Sequence, residues 1–196
     1  MYIKLRRALF FFLLFVALSA CGDLRFSQVA PGMETFHPEK ICVFPVEAGA
    51  YPEAAGVADK LIADAISDKG SFSVVVSPED AKRLMENDAK LTSAVSNYVA
   101  KLKKVSFSDP DISTYIGKKC TVDTILVVDV DSWNYTTQGD DNIAKVGFSM
   151  ELIEAQTGKI VWRAKHYDTK SYKWFKPDLV DLAKKVAEKM ISRIPH

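Results

Sequence analysis

Leu152-Ile153-Glu154-Ala155-Gln156-Thr157-Gly158-Lys159-Ile160-Val161-Trp162 is the stretch whose reading decides the fold. Gln156-Thr157-Gly158 is a turn signal, and the residues on either side of it alternate with period two. Upstream, Ala144, Val146, Phe148, Met150 and Leu152 fall on one face, with Lys145, Gly147, Ser149, Glu151 and Ile153 on the other. Downstream, Ile160, Trp162, Ala164 and His166 alternate with Val161, Arg163, Lys165 and Tyr167. Strands that are apolar on one side and polar on the other belong to an antiparallel meander with one wetted face. Ahead of them, residues 122–130, centred on Ile125-Leu126-Val127-Val128, read as a strand, and residues 136–142 as a polar loop.

Nearer the amino terminus, Ile41-Cys42-Val43-Phe44-Pro45-Val46 is continuously apolar, the pattern of a strand buried on both faces. Tyr51-Pro52-Glu53 opens a helix, Ala54, Ala58, Leu61, Ile62, Ala65 and Ile66 share its buried face, and Gly70 stops it. A strand over residues 72–76 completes a βαβ unit. Ser77-Pro78-Glu79-Asp80 starts a further helix, Leu91, Val95, Tyr98, Val99, Leu102 and Val105 make the stripe of a longer one, and a third runs from Asp109-Pro110 to Gly117. After Pro177, Leu179, Leu182, Ala183, Val186, Met190 and Ile194 form the buried face of a closing helix. The expected fold is α/β: a mixed sheet of about five strands, built from a βαβ unit, a helical crossover and an antiparallel meander, packed with helices and closed by a C-terminal helix. Residues 40–196 make one such domain, a length that suits a single core.

The first 20 residues have the layout of a secretory signal. Lys4, Arg6 and Arg7 precede an apolar run over residues 8–20, too short for a spanning helix. Leu18-Ser19-Ala20-Cys21 resembles the lipobox of bacterial lipoproteins. That resemblance implies cleavage before Cys21 and acylation of Cys21, a covalent lipid being the one prosthetic group expected. With Gly22 rather than Asp after the cysteine, the lipoprotein sorting pattern implies the periplasmic face of the outer membrane. Each buried methylene contributes about 0.8 kcal/mol, so two or three chains hold durably where one does not. Residues 21–39, interrupted by Pro31-Gly32 and Pro38, read as a flexible tether with a coil span of roughly 20–25 Å. Loss of the signal takes the formal net charge from +1 to −2, which argues against nucleic acid as a partner.

The order strand, helix, strand, helices, meander and closing helix is similar to a lipoprotein superfamily. That superfamily contains the curli secretion channel subunit, the amino-terminal domain of TolB and the outer-membrane activators of penicillin-binding proteins. Lys40-Ile41-Cys42-Val43-Phe44-Pro45, Tyr51-Pro52-Glu53-Ala54-Ala55, residues 72–76 and the hairpin at 152–162 carry the likeness. It implies a binding, assembly or regulatory factor for an envelope protein complex, without catalysis. A subunit of a secretion or polysaccharide-export assembly is the alternative, and an envelope hydrolase the second. No further long amphipathic hairpins are present to build a transmembrane barrel.

The chain contains no H-E-x-x-H, G-x-S-x-G, Walker or dinucleotide-binding motif, and His37, His166 and His196 have no ligand spacing, so neither a catalytic residue nor a metal site is expected. Asp129 and Asp131, two apart on a strand, could face one another as an acid–base pair, though solvent-facing aspartates are the plainer reading. Cys42 and Cys120, both expected near strand starts, are a candidate disulfide in an oxidising compartment, with two buried thiols as the alternative. Tyr167, Tyr172, Lys173, Trp174 and Phe175 interleave aromatic and basic character and form the candidate partner surface. Trp174 or Phe175 is also expected to pack the corner between last strand and last helix. Residues 133–142 are the second-choice surface.

Overall fold

The computed structural model describes residues 24–106 and 108–195. The lipobox-like stretch and Cys21 lie outside the described residues. Six strands, β1 (Phe26–Val29), β2 (Lys40–Val43), β3 (Val74–Val76), β4 (Thr124–Gln138), β5 (Asp141–Glu154) and β6 (Ile160–Tyr172), form one sheet in the order β1-β6-β5-β4-β2-β3. β2 runs parallel to both β3 and β4, and the rest of the sheet is antiparallel. Five helices accompany it: α1 (Ala55–Lys69), α2 (Pro78–Glu86), α3 (Ala89–Val105), α4 (Pro110–Cys120) and α5 (Leu179–Ile191). A 3-10 turn at Pro52–Ala54 leads into α1, and Gly70 ends it in the left-handed region at φ 64°.

The alternation expected from sequence sorts the side chains into two cores. Ala144, Val146, Phe148, Met150 and Leu152 of β5 join Ile41 and Val43 of β2 and Leu126, Val128 and Val130 of β4 under α1 and α5. Cys42, Phe44, Ile125 and Val127 point the other way, into the cluster beneath α2, α3 and α4. A three-layer α/β/α arrangement follows, because the central strands are apolar on both sides. Helix starts carry the expected caps: Ser77 Oγ accepts the Asp80 N–H (3.1 Å), and Asp109 accepts from Asp111 and Ile112. On one face, the Lys69 ammonium of α1 donates to the carbonyls of Ser192 and Ile194 (3.3 and 3.0 Å), tying α1 to the end of α5.

Five expectations need correction. The segment 26–29, read as part of the flexible tether, is a strand on the edge of β6, with Phe26 opposite Lys165 and Val29 opposite Trp162. Its side chains are exposed, so no periodicity announces it; what holds it is backbone pairing, the bond from Trp162 Nε1 to Ser27 Oγ (3.0 Å) and burial of Leu24 and Met33 on either side. Residues 136–142 are not a loop: β4 and β5 pair as far as Gln138 and Asp141, leaving Gly139 (φ 61°) and Asp140 as the turn. Within the second-choice partner surface at 133–142, Trp133 is core. Finally, α4 continues past Gly117 to Cys120, and Val105 projects outward from α3.

Gly117 is a place where the usual helix rule inverts. Gly-to-Ala in an exposed helix contributes about 1 kcal/mol of stability, but here a Cβ would stand 2.6 Å from Ala155 Cβ and 3.2 Å from the Val122 carbonyl. Gly117→Ala is expected to destabilise the domain by about 1–3 kcal/mol in denaturant unfolding; an unchanged or raised midpoint would show that α4 can move off the β5–β6 turn.

Candidate functional site

β6 ends at Tyr172, and the chain passes through Lys173-Trp174-Phe175-Lys176 before Asp178 caps α5 by accepting the Val180 N–H (2.8 Å). The corner is packed by Tyr135 and Tyr172, not by the residues expected to do it. The rings of Tyr135 and Tyr172 meet edge to face at 5.8 Å, and the Tyr135 hydroxyl donates to the Pro177 carbonyl (2.7 Å). The Lys176 ammonium lies 4.7 Å from the Tyr135 ring centroid. With the corner filled this way, Trp174 and Phe175 are each 90% exposed. Burial of such a side chain contributes about 2–3 kcal/mol, a contribution the domain leaves unused twice in adjacent residues. No acidic residue occurs from Thr169 to Pro177, so the tip is aromatic and cationic together.

Tyr167, the fifth residue of the expected surface, is separated from this tip by the last residues of β6. It is committed to the domain's own packing, between the Arg25 guanidinium (3.9 Å to the ring centroid) and the Lys145 ammonium (4.5 Å). Across the sheet Gly147 makes room for it, since a Cβ there would meet Tyr167 Cβ at 2.8 Å. Nothing in the sequence pattern singles out Arg25 or Lys145 for this role; Arg25 falls in the segment read as tether, and pairing of β1 with β6 is what brings it to Tyr167.

The groups considered for acid–base chemistry do not converge. Asp129 is bound to Lys103 (2.5 Å), while Asp131, at a bulge in β4, accepts from Ser149 Oγ (2.6 Å) and faces Lys165 (3.4 Å). His166 lies on the opposite face with Ala164, against α5, and is itself buried. A cavity of about 720 Å³ opens at the amino ends of β2 and β4 beside Phe36, Lys40, Lys118 and Asp123. Of its three carboxylates, Asp123 accepts the N–H groups of Glu39 and Lys40 (3.1 Å), Glu154 accepts from the Thr157 hydroxyl, and Glu39 is exposed. Ligands of open α/β sheets sit at the carboxyl ends of the strands, the other side of this one. Among the described residues no group of three or more His, Cys, Asp or Glu is placed to hold a metal, and no helix is long and apolar enough to cross a membrane.

Cys42, in β2, and Cys120, at the end of α4 instead of a strand start, are both buried free thiols. Interaction with the neighbouring Cys120 thiol, and after it burial, pushes the Cys42 thiol well above its ordinary pKa. The two thiols are therefore neighbours, and thiolate formation at Cys42 is opposed. For protein purified from an oxidising compartment, reduction is expected to lower stability by about 4 kcal/mol through loss of a long closed loop; an identical unfolding midpoint with and without reductant would mean that the pair stays reduced.

No family model matches the sequence, and no curated protein matches it either. Solved structures do share the fold. A PelC dodecamer from Paraburkholderia phytofirmans is 17% identical over 87% of this chain and 99% of that one, with a TM-score of 0.52. The lipoprotein GNA1162 from Neisseria meningitidis is 14% identical over 80% of this chain and 100% of that one, with a TM-score of 0.52. The hypothetical protein CT253 from Chlamydia trachomatis is 7% identical over 79% and 94%, with a TM-score of 0.54. At these identities the likeness is one of fold: a mixed α/β domain that at least one lipoprotein uses.

Proposed function

We propose that this chain is a lipid-anchored binding or assembly factor of the cell envelope, acting without catalysis. It is held through acylated Cys21 at the periplasmic face of the outer membrane and touches a protein partner with its Tyr172–Phe175 tip. The observation that carries this reading is the pair Trp174 and Phe175, each 90% exposed and flanked by Lys173 and Lys176. Adjacent exposed aromatics with cations beside them are the composition of an interface anchor. The lipobox-like stretch ending in Cys21, the superfamily resemblance and the fold shared with the lipoprotein GNA1162 support the location. The described chain begins at Leu24 beside Tyr167, and β6 runs from there toward the tip, about 17 Å to Tyr172. Cys21 precedes that start by three residues, a covalent reach of about 10 Å.

A second reading, a subunit of a secretion or polysaccharide-export assembly built from several copies, is favoured by the fold shared with the PelC dodecamer. A hydrolase is disfavoured by the separation of Asp129 and Asp131 from His166. Sedimentation of the full chain separates the first two: a single-copy species supports an adaptor, a closed ring the multi-copy assembly.

Cys21→Ser is expected to move the protein from the membrane fraction to the soluble periplasm, and retention in the membrane would refute the anchor. A photoreactive residue at position 174, irradiated in intact cells, is expected to give a discrete protein adduct that the same probe at exposed Lys60 does not. The absence of a protein adduct at 174 would remove the tip as the partner surface.

A further inference from the structure

Past residue 165 the outer edge of β6 is no longer paired with β1, and a cavity of about 370 Å³ opens there between β6 and α5. Arg25, its guanidinium stacked on the Tyr167 ring, lines it from the start of the chain, with His166, Tyr167 and Asp168 from β6 and Lys185 and Lys189 from α5. The two lysines are one helical turn apart and so project to the same side. Against three full positive charges stands one carboxylate, Asp168, which accepts its neighbouring Thr169 N–H (2.8 Å). Among the described residues Arg25, Lys185 and Lys189 form no ion pair, whereas Lys184, one position along α5, has Glu188 at 3.9 Å. Cations gathered in a concavity in excess of their counter-charge repel one another and raise the local concentration of anions.

His166 adds a directed donor. Its Nδ1 accepts the backbone N–H of Arg25 across a long 3.4 Å contact, so a neutral ring carries its proton on Nε2. Burial first, then Lys189 and Arg25, hold its pKa below the ordinary value, with Asp168 alone opposing them. The other groups facing it, Tyr167 and Lys185, supply no further negative charge at neutral pH. Three cations less one carboxylate leave an excess of two charges, the charge of a phosphomonoester, whose several oxygens suit three cations and an N–H better than a carboxylate's two.

We propose that the cavity formed by Arg25, His166, Lys185 and Lys189 is a phosphate-binding site, filled by a phosphomonoester of a lipid headgroup or of a soluble ligand. Arg25 lies four residues after Cys21, which puts headgroups of the anchoring membrane within reach. The site does not depend on what Trp174 and Phe175 contact.

The test uses the full-length Cys21→Ser chain recovered from the periplasm and follows the three histidine imidazoles by NMR. Inorganic phosphate, half-saturating at about 1 mM or below, is expected to shift His166 and raise its pKa, while His37 and His196 serve as internal references. Lys185→Gln with Lys189→Gln, two substitutions at the cavity side of α5 and outside the core, is expected to weaken the response about tenfold with an unchanged thermal midpoint. If that variant unfolds, Arg25→Gln reads the same loss from the other side of the cavity. Sedimentation with phosphatidic acid vesicles but not phosphatidylcholine vesicles, lost in the lysine variant, assigns the phosphate to a lipid. A response to inorganic phosphate and glucose 6-phosphate without vesicle binding assigns it to a soluble ligand. No movement of His166, or an equal movement with chloride at matched ionic strength, overturns the proposal.

Discussion

Five side chains on one strand set the terms for the rest of the structure. Ala144, Val146, Phe148, Met150 and Leu152 of β5 are each exposed by 1% or less. This apolar row has to be roofed, and α1 and α5, from opposite ends of the chain, are brought together to do it. The far side of the same strands is only partly covered by α2, α3 and α4. At their margin Lys103 of α3 pairs with Glu47 and Asp129, and beyond them the sheet face carries Lys165 with Asp131 and Arg163 with Glu151. Exposed pairs of this kind contribute little each, typically below about 1 kcal/mol. Their place is to keep an open sheet face soluble, while the β5 row and its roof supply the stability.

Elements governed by side-chain periodicity are legible in sequence. The β5 and β6 faces, the βαβ unit, the caps at Ser77 and Asp109 and the buried side of α5 all follow from spacing alone. Elements governed by something else are not. β1 has four exposed residues and exists because β6 offers an unpaired edge, a fact that resides 135 positions away in the bond from Trp162 to Ser27. The β4–β5 turn is hidden because polar residues flank Gly139 on both sides, and a polar strand on a wetted face has the composition of a loop.

The candidate surface is legible in composition but not in arrangement. Interleaved aromatics and lysines mark residues 167–176, yet the division of labour depends on Tyr135, which arrives from β4 and fills the corner so that Trp174 and Phe175 need not. Tyr167 belongs to the same surface by composition, and Arg25 withdraws it into the fold. The cationic cavity beside His166 is invisible in sequence for the same reason: Arg25, His166, Lys185 and Lys189 are distant along the chain and meet only because β1 stops short along β6 and α5 packs beneath it.

The central claim is that the domain works while held at a membrane by Cys21, with its aromatic tip engaged there. Hydrogen exchange tests it most directly, comparing the wild-type chain in native envelope fractions with the released Cys21→Ser chain. The account predicts slower exchange at residues 173–176 in the membrane-held protein, with the α1 and β5 core unchanged. Equal exchange at residues 173–176 in the two forms would contradict it.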